Sequence, residues 1–129
     1  MFRFLWAGLL FLSTQASAQQ FICDFDSWRG ASDDIGASWT GEKVFIDTAQ
    51  NLIQRGFSDG WYEPQGISAI SRTADFTTYT TRSRERDTTG STFEITMSFR
   101  VYSQGKGTAR IDAGARMQDI TATGTCSSG

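Results

Sequence analysis

The feature that most constrains the fold is the segment 92–102, "TFEITMSFRVY". Phe93, Ile95, Met97, Phe99 and Val101 alternate with Thr92, Glu94, Thr96, Ser98, Arg100 and Tyr102. A strand gathers such a period-two pattern onto one face, whereas a helix would scatter it around its axis. The next segment, "TARIDAGARM", repeats the pattern. Ala109, Ile111, Ala113, Ala115 and Met117 take one face, and Arg110, Asp112 and Arg116 take the other. Two neighbouring half-buried strands predict an antiparallel sheet with one wet face. Beyond them the phase slips, since Ile120, Ala122 and Cys126 lie on even numbers. A bulge near Asp119 is the expected cause.

The segment 76–86 precedes this strand and carries Arg82, Arg84 and Arg86 at alternate positions. Register decides which face they take, because a one-residue slip turns every side chain over. A two- or four-residue loop would set Arg84 against Phe93 and Arg82 against Ile95, burying unpaired charge at high cost. A three-residue loop, Thr88-Thr89-Gly90, avoids this. Asp87 suits the start of a type I turn, and Gly90 suits the left-handed position that follows it. The predicted pairs are Tyr79 with Phe99, Thr81 with Met97 and Ser83 with Ile95 inside, and Arg84 with Glu94 outside. The same parity carried to the next hairpin sets Phe99 against Ile111, Glu94 against Arg116 and Arg100 against Arg110. The arginine row then faces water. Arg82 and Arg86, without assigned partners, are candidate contacts for an acidic protein or an anionic glycan.

Elsewhere the chain reads as short strands at 20–25, 43–47, 67–73, 76–86, 108–117 and 120–126. Thr, Ser, Phe, Ile and Tyr are abundant, and β-branched and aromatic residues favour strands. The segments 27–41 and 58–66 read as loops. "TAQNLIQRGF" is the best helical candidate, with Gly56 as its cap, or else a loop. Strands with regular turn signals predict an all-β fold, a small antiparallel β-barrel of lipocalin-like or calycin-like architecture or a β-sandwich.

Residues 1–18 read as a cleaved signal peptide: a charged start, a short apolar run and Ala16-Ser17-Ala18 before Gln19. The run is too short to span a bilayer, and no later segment is apolar enough to do so. Residues 19–129 form a single domain. Cys23 and Cys126 are the only cysteines. In an exported chain they are expected to pair, closing a loop of about 100 residues and stabilising the fold by roughly 4–5 kcal/mol. A bacterial periplasm is mildly favoured over secretion, since Asn51, the one asparagine, is not in a glycosylation sequon.

The inner face offers candidate ligand-lining residues: Phe93, Met97, Phe99, Tyr79, Ile111 and, from a loop, Trp61. Large side chains facing small ones either interdigitate or leave room for a small apolar ligand. Trp28, Trp39 and Trp61 fall in loop-like segments, where they could lid a core or line a mouth. "SDGWYEP" resembles the Gly-x-Trp signature of lipocalins, which are secreted ligand-binding barrels. Gly60 directly precedes Trp61 without a spacer, and "GASW", Gly36 to Trp39, has one residue too many. The likeness is one of architecture.

The chain has no histidine, which excludes Ser-His-Asp and Cys-His catalysis. There is no C-x-x-C, no phosphate-binding glycine loop and no basic excess to recruit nucleic acid. Asp24, Asp26, Asp33, Asp34 and Glu42 leave a carboxylate-based glycoside hydrolase or a calcium site as distant alternatives. The expectation is a non-enzymatic exported binding module without metal or cofactor. Its ligand is a small apolar molecule inside, or its partner an envelope protein or glycan outside. The alternative is an inhibitor-type or structural envelope protein acting through residues 58–66, with Trp61 and Tyr62 as contacts.

Overall fold

The structure, a computed structural model, describes residues 19–128. The leader expected at residues 1–18 lies outside the described residues. Among those described, no helix is long and apolar enough to cross a membrane.

The elements in chain order are β1 (Gln20–Arg29), α1 (Asp33–Thr40), β2 (Lys43–Asp47), β3 (Leu52–Phe57), β4 (Gly60–Trp61), β5 (Gln65–Gly66), β6 (Ala69–Arg72), β7 (Phe76–Arg86), β8 (Thr92–Tyr102), β9 (Lys106–Asp112) and β10 (Ile120–Ser128). They build a ten-stranded sheet in the order β4-β3-β2-β1-β10-β9-β8-β7-β6, with β5 also paired to β3. All the pairings are antiparallel. The sheet is not closed by a continuous ladder, so the barrel expectation is met only as far as an all-β antiparallel fold. Segment 65–72 spans the space between the two ends. Gly66 pairs with Leu52 on β3, its carbonyl accepts from Thr81 Oγ1 on β7 at 2.9 Å, and Ser68 N donates to Thr80 O at 2.7 Å.

The β7–β8 hairpin has the expected register: Tyr79 opposite Phe99, Thr81 opposite Met97, Ser83 opposite Ile95 and Arg84 opposite Glu94. Its turn is the expected one. Asp87 N donates to Ser91 O at 2.9 Å, Gly90 sits at φ 89°, and Asp87 Oδ1 accepts from the Thr89 and Ser91 amides. The β8–β9 hairpin corrects the expectation by two residues. Phe99 lies opposite Ala109, Met97 opposite Ile111, Arg100 opposite Thr108 and Ser98 opposite Arg110. The cause is a second tight turn of the same kind, in which Gly105 N donates to Tyr102 O and Gly105 sits at φ 98°. Parity survives, so the inner face is unchanged, but Arg116 does not join Arg84 and Glu94. It lies in a 3-10 turn at Gly114–Arg116, where its guanidinium reaches Asp87 and covers the Phe93 ring at 4.9 Å. That turn, not a bulge near Asp119, produces the phase slip. Strand β9 ends at Asp112, and the reversed chain resumes with Ile120 opposite Ile111.

Three other segments depart from the sequence reading. Strand β1 runs through the expected loop to Arg29, with its register shifting between Phe25 and Ser27. The slip lets Cys23, Phe25 and then Trp28 pack against the core. Helix α1 occupies the rest of that expected loop. Ser32 caps it by accepting from the Ile35 amide, and Asp33 and Asp34 fill its first turn, where carboxylates suit the helix dipole. The helical candidate 48–57 is instead a turn followed by β3. Asp47 Oδ1 accepts from the Ala49 and Gln50 amides, and Asn51 adopts φ 58°. A side chain bonded to the amides two and three residues on diverts the chain from helix into a turn.

Val44, Ile46, Ile53, Tyr79, Ile95, Met97, Phe99 and Ile111 are all buried and belong to one cluster. Cys23 and Cys126 are direct cross-strand partners on β1 and β10 and form the expected disulfide. The bond therefore ties the first strand of the domain to the last, at the middle of the sheet.

Candidate functional site

The inner face changes character at one end of the sheet. Ile53 points into the core opposite Ile46, so two residues further along β3 Arg55 takes the same face, opposite Val44. On β7, Tyr79 and Thr81 are buried, while Ser83 and Glu85 continue that face toward solvent. Arg55, Ser83 and Glu85 share a cleft of about 330 Å³ with Trp39 and Tyr62, above a floor of Ile95 and Met97. One guanidinium nitrogen of Arg55 donates to the Trp39 carbonyl at the end of α1. The guanidinium also stands 5.3 Å from the centre of the Tyr62 ring. Burial lowers the Arg55 pKa, and Tyr62 and Glu85 oppose that shift electrostatically. Among the described residues no carboxylate oxygen comes within ion-pair distance of Arg55. The Ser83 hydroxyl is buried and has no hydrogen-bond partner.

The segment after β3 forms a lip over this cleft. Trp61 lies opposite Gly56, and a Cβ on Gly56 would come within 2.6 Å of the indole ring. Glycine is therefore what lets the indole lie across the strand. The Tyr62 ring packs on Phe57 with centroids 4.1 Å apart. Tyr62 N donates to Arg55 O at 2.8 Å, and Gln54 Nε2 donates to Tyr62 O at 2.8 Å. At the base of the lip the Ser58 amide donates to Glu42 Oε1 at 3.0 Å. Anchored in this way, the lip still leaves Trp61 50% and Tyr62 44% exposed. Two further concavities meet at Tyr62. One runs under Trp61, Glu63 and Pro64, and the other lies against Asp34, Glu42 and Asp59. The lip is thus an aromatic centre with an acidic rim.

The other sequence-predicted residues are dispersed. Tyr79, Met97, Phe99 and Ile111 are packed within the core, Phe93 lies partly buried against it, and Trp61 is remote from it on β4. These six do not line one cavity. Met97 reaches the floor of the Arg55 cleft, while Tyr79 reaches a separate cleft of about 500 Å³ at the opposite end, beside Phe21, Val101 and two turns. Burial pushes the Tyr79 pKa up, with Arg72 and the Thr77 hydroxyl opposing that shift. Arg82, Arg84 and Arg86 are exposed on the outer face. Arg84 faces Glu94 in register without an ion pair. The ion pairs among the described residues are Arg110–Asp119 and Arg116–Asp87. The acidic candidates are spread over β1, α1 and the turn just before β2. Among the described residues no group of three or more potential ligands could hold a metal ion.

Sequence reasoning did not single out Arg55. The signal was available: taking "LIQRGF" in period two from Ile53 puts Arg55 on the buried face. Comparisons with protein-family models, with curated proteins and with solved structures found no match.

Proposed function

We propose that the protein is a small exported binding module that docks a protein partner through the lip formed by Trp61 and Tyr62. The observation that carries this reading is the exposure of two large aromatic side chains on a segment anchored to β3 and to Glu42. Tryptophan and tyrosine in pre-organised positions are the residues that dominate binding energy at interfaces. The acidic rim of Asp34, Asp59 and Glu63 favours a partner surface with an apolar knob among basic residues. The disulfide supports an oxidising compartment, and an envelope protein is the kind of partner found there. The core weighs against the interior as the working surface, because Tyr79, Met97, Phe99 and Ile111 pack against one another.

The same reading takes the sheet as barrel-like, not as a sandwich. Inner-face residues of β1, β2, β3, β7, β8, β9 and β10 belong to one cluster, and segment 65–72 touches both β3 and β7. An architecture of this kind presents its loops at two ends, and the lip occupies one of them.

The test is capture of binding partners from the host envelope fraction by wild type, by Trp61→Ser/Tyr62→Ser and by Arg82→Ala/Arg86→Ala. The expected result is a discrete partner whose recovery falls at least about 30-fold with the lip variant, as loss of a hot spot implies, and is unchanged with the arginine variant. Equal recovery by wild type and lip variant would overturn the proposal.

A further inference from the structure

We infer that the cleft between Arg55, Ser83 and Tyr62 is a receptor for a carboxylate carried on a short apolar group. Arg55 is half-buried on the inner face of β3, beside buried Val44, and its guanidinium donates to the Trp39 carbonyl. A guanidinium has five donors in a rigid fork, so most of this one's capacity is unused. A half-desolvated cation without an ion-pair partner is costly to keep. The same cleft holds a second unused polar group, the buried Ser83 hydroxyl. Tyr62 holds one side of the guanidinium, and the Trp39 carbonyl fixes one of its nitrogens, so the remaining fork is oriented before any ligand arrives.

The chemistry that satisfies these groups together is a carboxylate. Its two oxygens match the planar fork of arginine, and a hydroxyl donates readily to the same anion. The floor below is Ile95 and Met97, with Trp39 at the side, which suits an aliphatic or aromatic body next to the charge. A cleft of about 330 Å³ is at the small end of ligand sites, so the bound group has the size of one amino-acid residue or a short organic acid. Glu85 stands at the rim of the same cleft, exposed. It costs an incoming carboxylate some repulsion, and it would favour an acid followed by a cationic group, as in a chain terminus preceded by a basic residue. Tyr62 belongs to both the docking lip and this cleft, but carboxylate binding at Arg55 requires no docked partner and stands or falls by itself.

The experiment is an NMR titration of the isotope-labelled domain with hexanoate, hexanamide, N-acetyl-leucine and N-acetyl-leucinamide at millimolar concentrations. The acids are expected to shift the Arg55 side-chain Nε–H and the backbone amides of residues 39, 55, 83 and 95. They should bind about ten- to a hundred-fold tighter than the matching amides, the range that a charge-assisted pair supplies. A preference for N-acetyl-leucine over hexanoate marks a polypeptide terminus as the natural source; the reverse marks a free organic acid. Arg55→Met, which keeps an unbranched stem and removes the guanidinium, should abolish the discrimination between acid and amide. Glu85→Gln should strengthen acid binding several-fold, and it needs no change at a buried position. Acids and amides binding equally, shifts confined to the opposite cleft around Tyr79, or weaker acid binding in Glu85→Gln would each overturn the inference. If the acids bind as described while partner capture ignores Trp61 and Tyr62, the cleft stands and the docking reading falls.

Discussion

The β7–β8 hairpin and the β3–β5 region face each other across one interior, and they are built on opposite rules. The hairpin has eleven-residue strands, a single tight turn and an inner face of Tyr79, Thr81, Ile95, Met97 and Phe99, all buried. The β3–β5 region has strands of six, two and two residues. Its inner face goes from Ile53 straight to Arg55, and its aromatic residues point out. Long paired strands satisfy their own backbone and leave side chains free to pack, which makes a scaffold. Short strands joined by anchored loops give up packing and leave polar and aromatic groups exposed to partners. The difference underlies the proposal that one region supplies stability and the other recognition.

The disulfide is the foundation common to both regions, so removing it is the strongest way to break the comparison. Cys23→Ala/Cys126→Ala should lose roughly 4–5 kcal/mol, a large share of what a small domain has. Urea denaturation of wild type with and without reductant checks this, and titration of the unfolded, unreduced protein should find no free thiol.

The next contrast is between the two inner faces. Phe99→Ala removes a buried ring from the scaffold and should cost about 3–5 kcal/mol. Arg55→Met removes a half-buried, underpaired charge, and it should change stability by less than about 1 kcal/mol or raise it. Denaturation midpoints of the two variants sharpen the comparison: similar losses would mean that Arg55 is part of the scaffold.

The smallest effect is at the hairpin turn. The Asp87 carboxyl is held far below the usual carboxylate range by the Thr89 hydroxyl first, then by Arg116 and the turn amides. A carboxylate with a depressed folded-state pKa stabilises the fold at neutral pH, and that contribution fades as acid protonates it. Asp87→Asn should therefore melt below wild type at neutral pH. The gap should narrow as pH is taken below the ordinary carboxylate value of about 4. Thermal melts across that range give the answer, and a constant gap would show that the ionised form of Asp87 contributes nothing.

The scaffold was legible because its sequence signals agree. Strict alternation fixed the faces of β7 and β8, and Asp87 with Gly90 fixed the turn length and so the register. The two-residue shift in β8–β9 arose because Gly105 closes a second such turn, whereas parity alone left the length of that loop open. The lip end was far less legible. Asp47 and Asn51 build a turn that no hydrophobic period announces, and Gly56 reads as a helix cap when its role is to admit the Trp61 indole. Ser32 with Asp33 and Asp34 is a helix start, but the helix buries too few apolar residues to show a period. Arg55 was hidden by the same misreading, since its face depends on β3 being a strand. Trp61 and Tyr62 were visible as candidates because exposed aromatics on a loop need no register to stand out.

The central claim is that recognition belongs to the lip end and not to the arginine-bearing outer face. Site-specific photocrosslinking in the producing cell tests it directly, with a photoreactive phenylalanine placed by substitution at Tyr62 in one protein and at Arg84 in another. The account predicts a discrete crosslinked adduct from position 62 and none from position 84. An adduct from position 84 alone would contradict it.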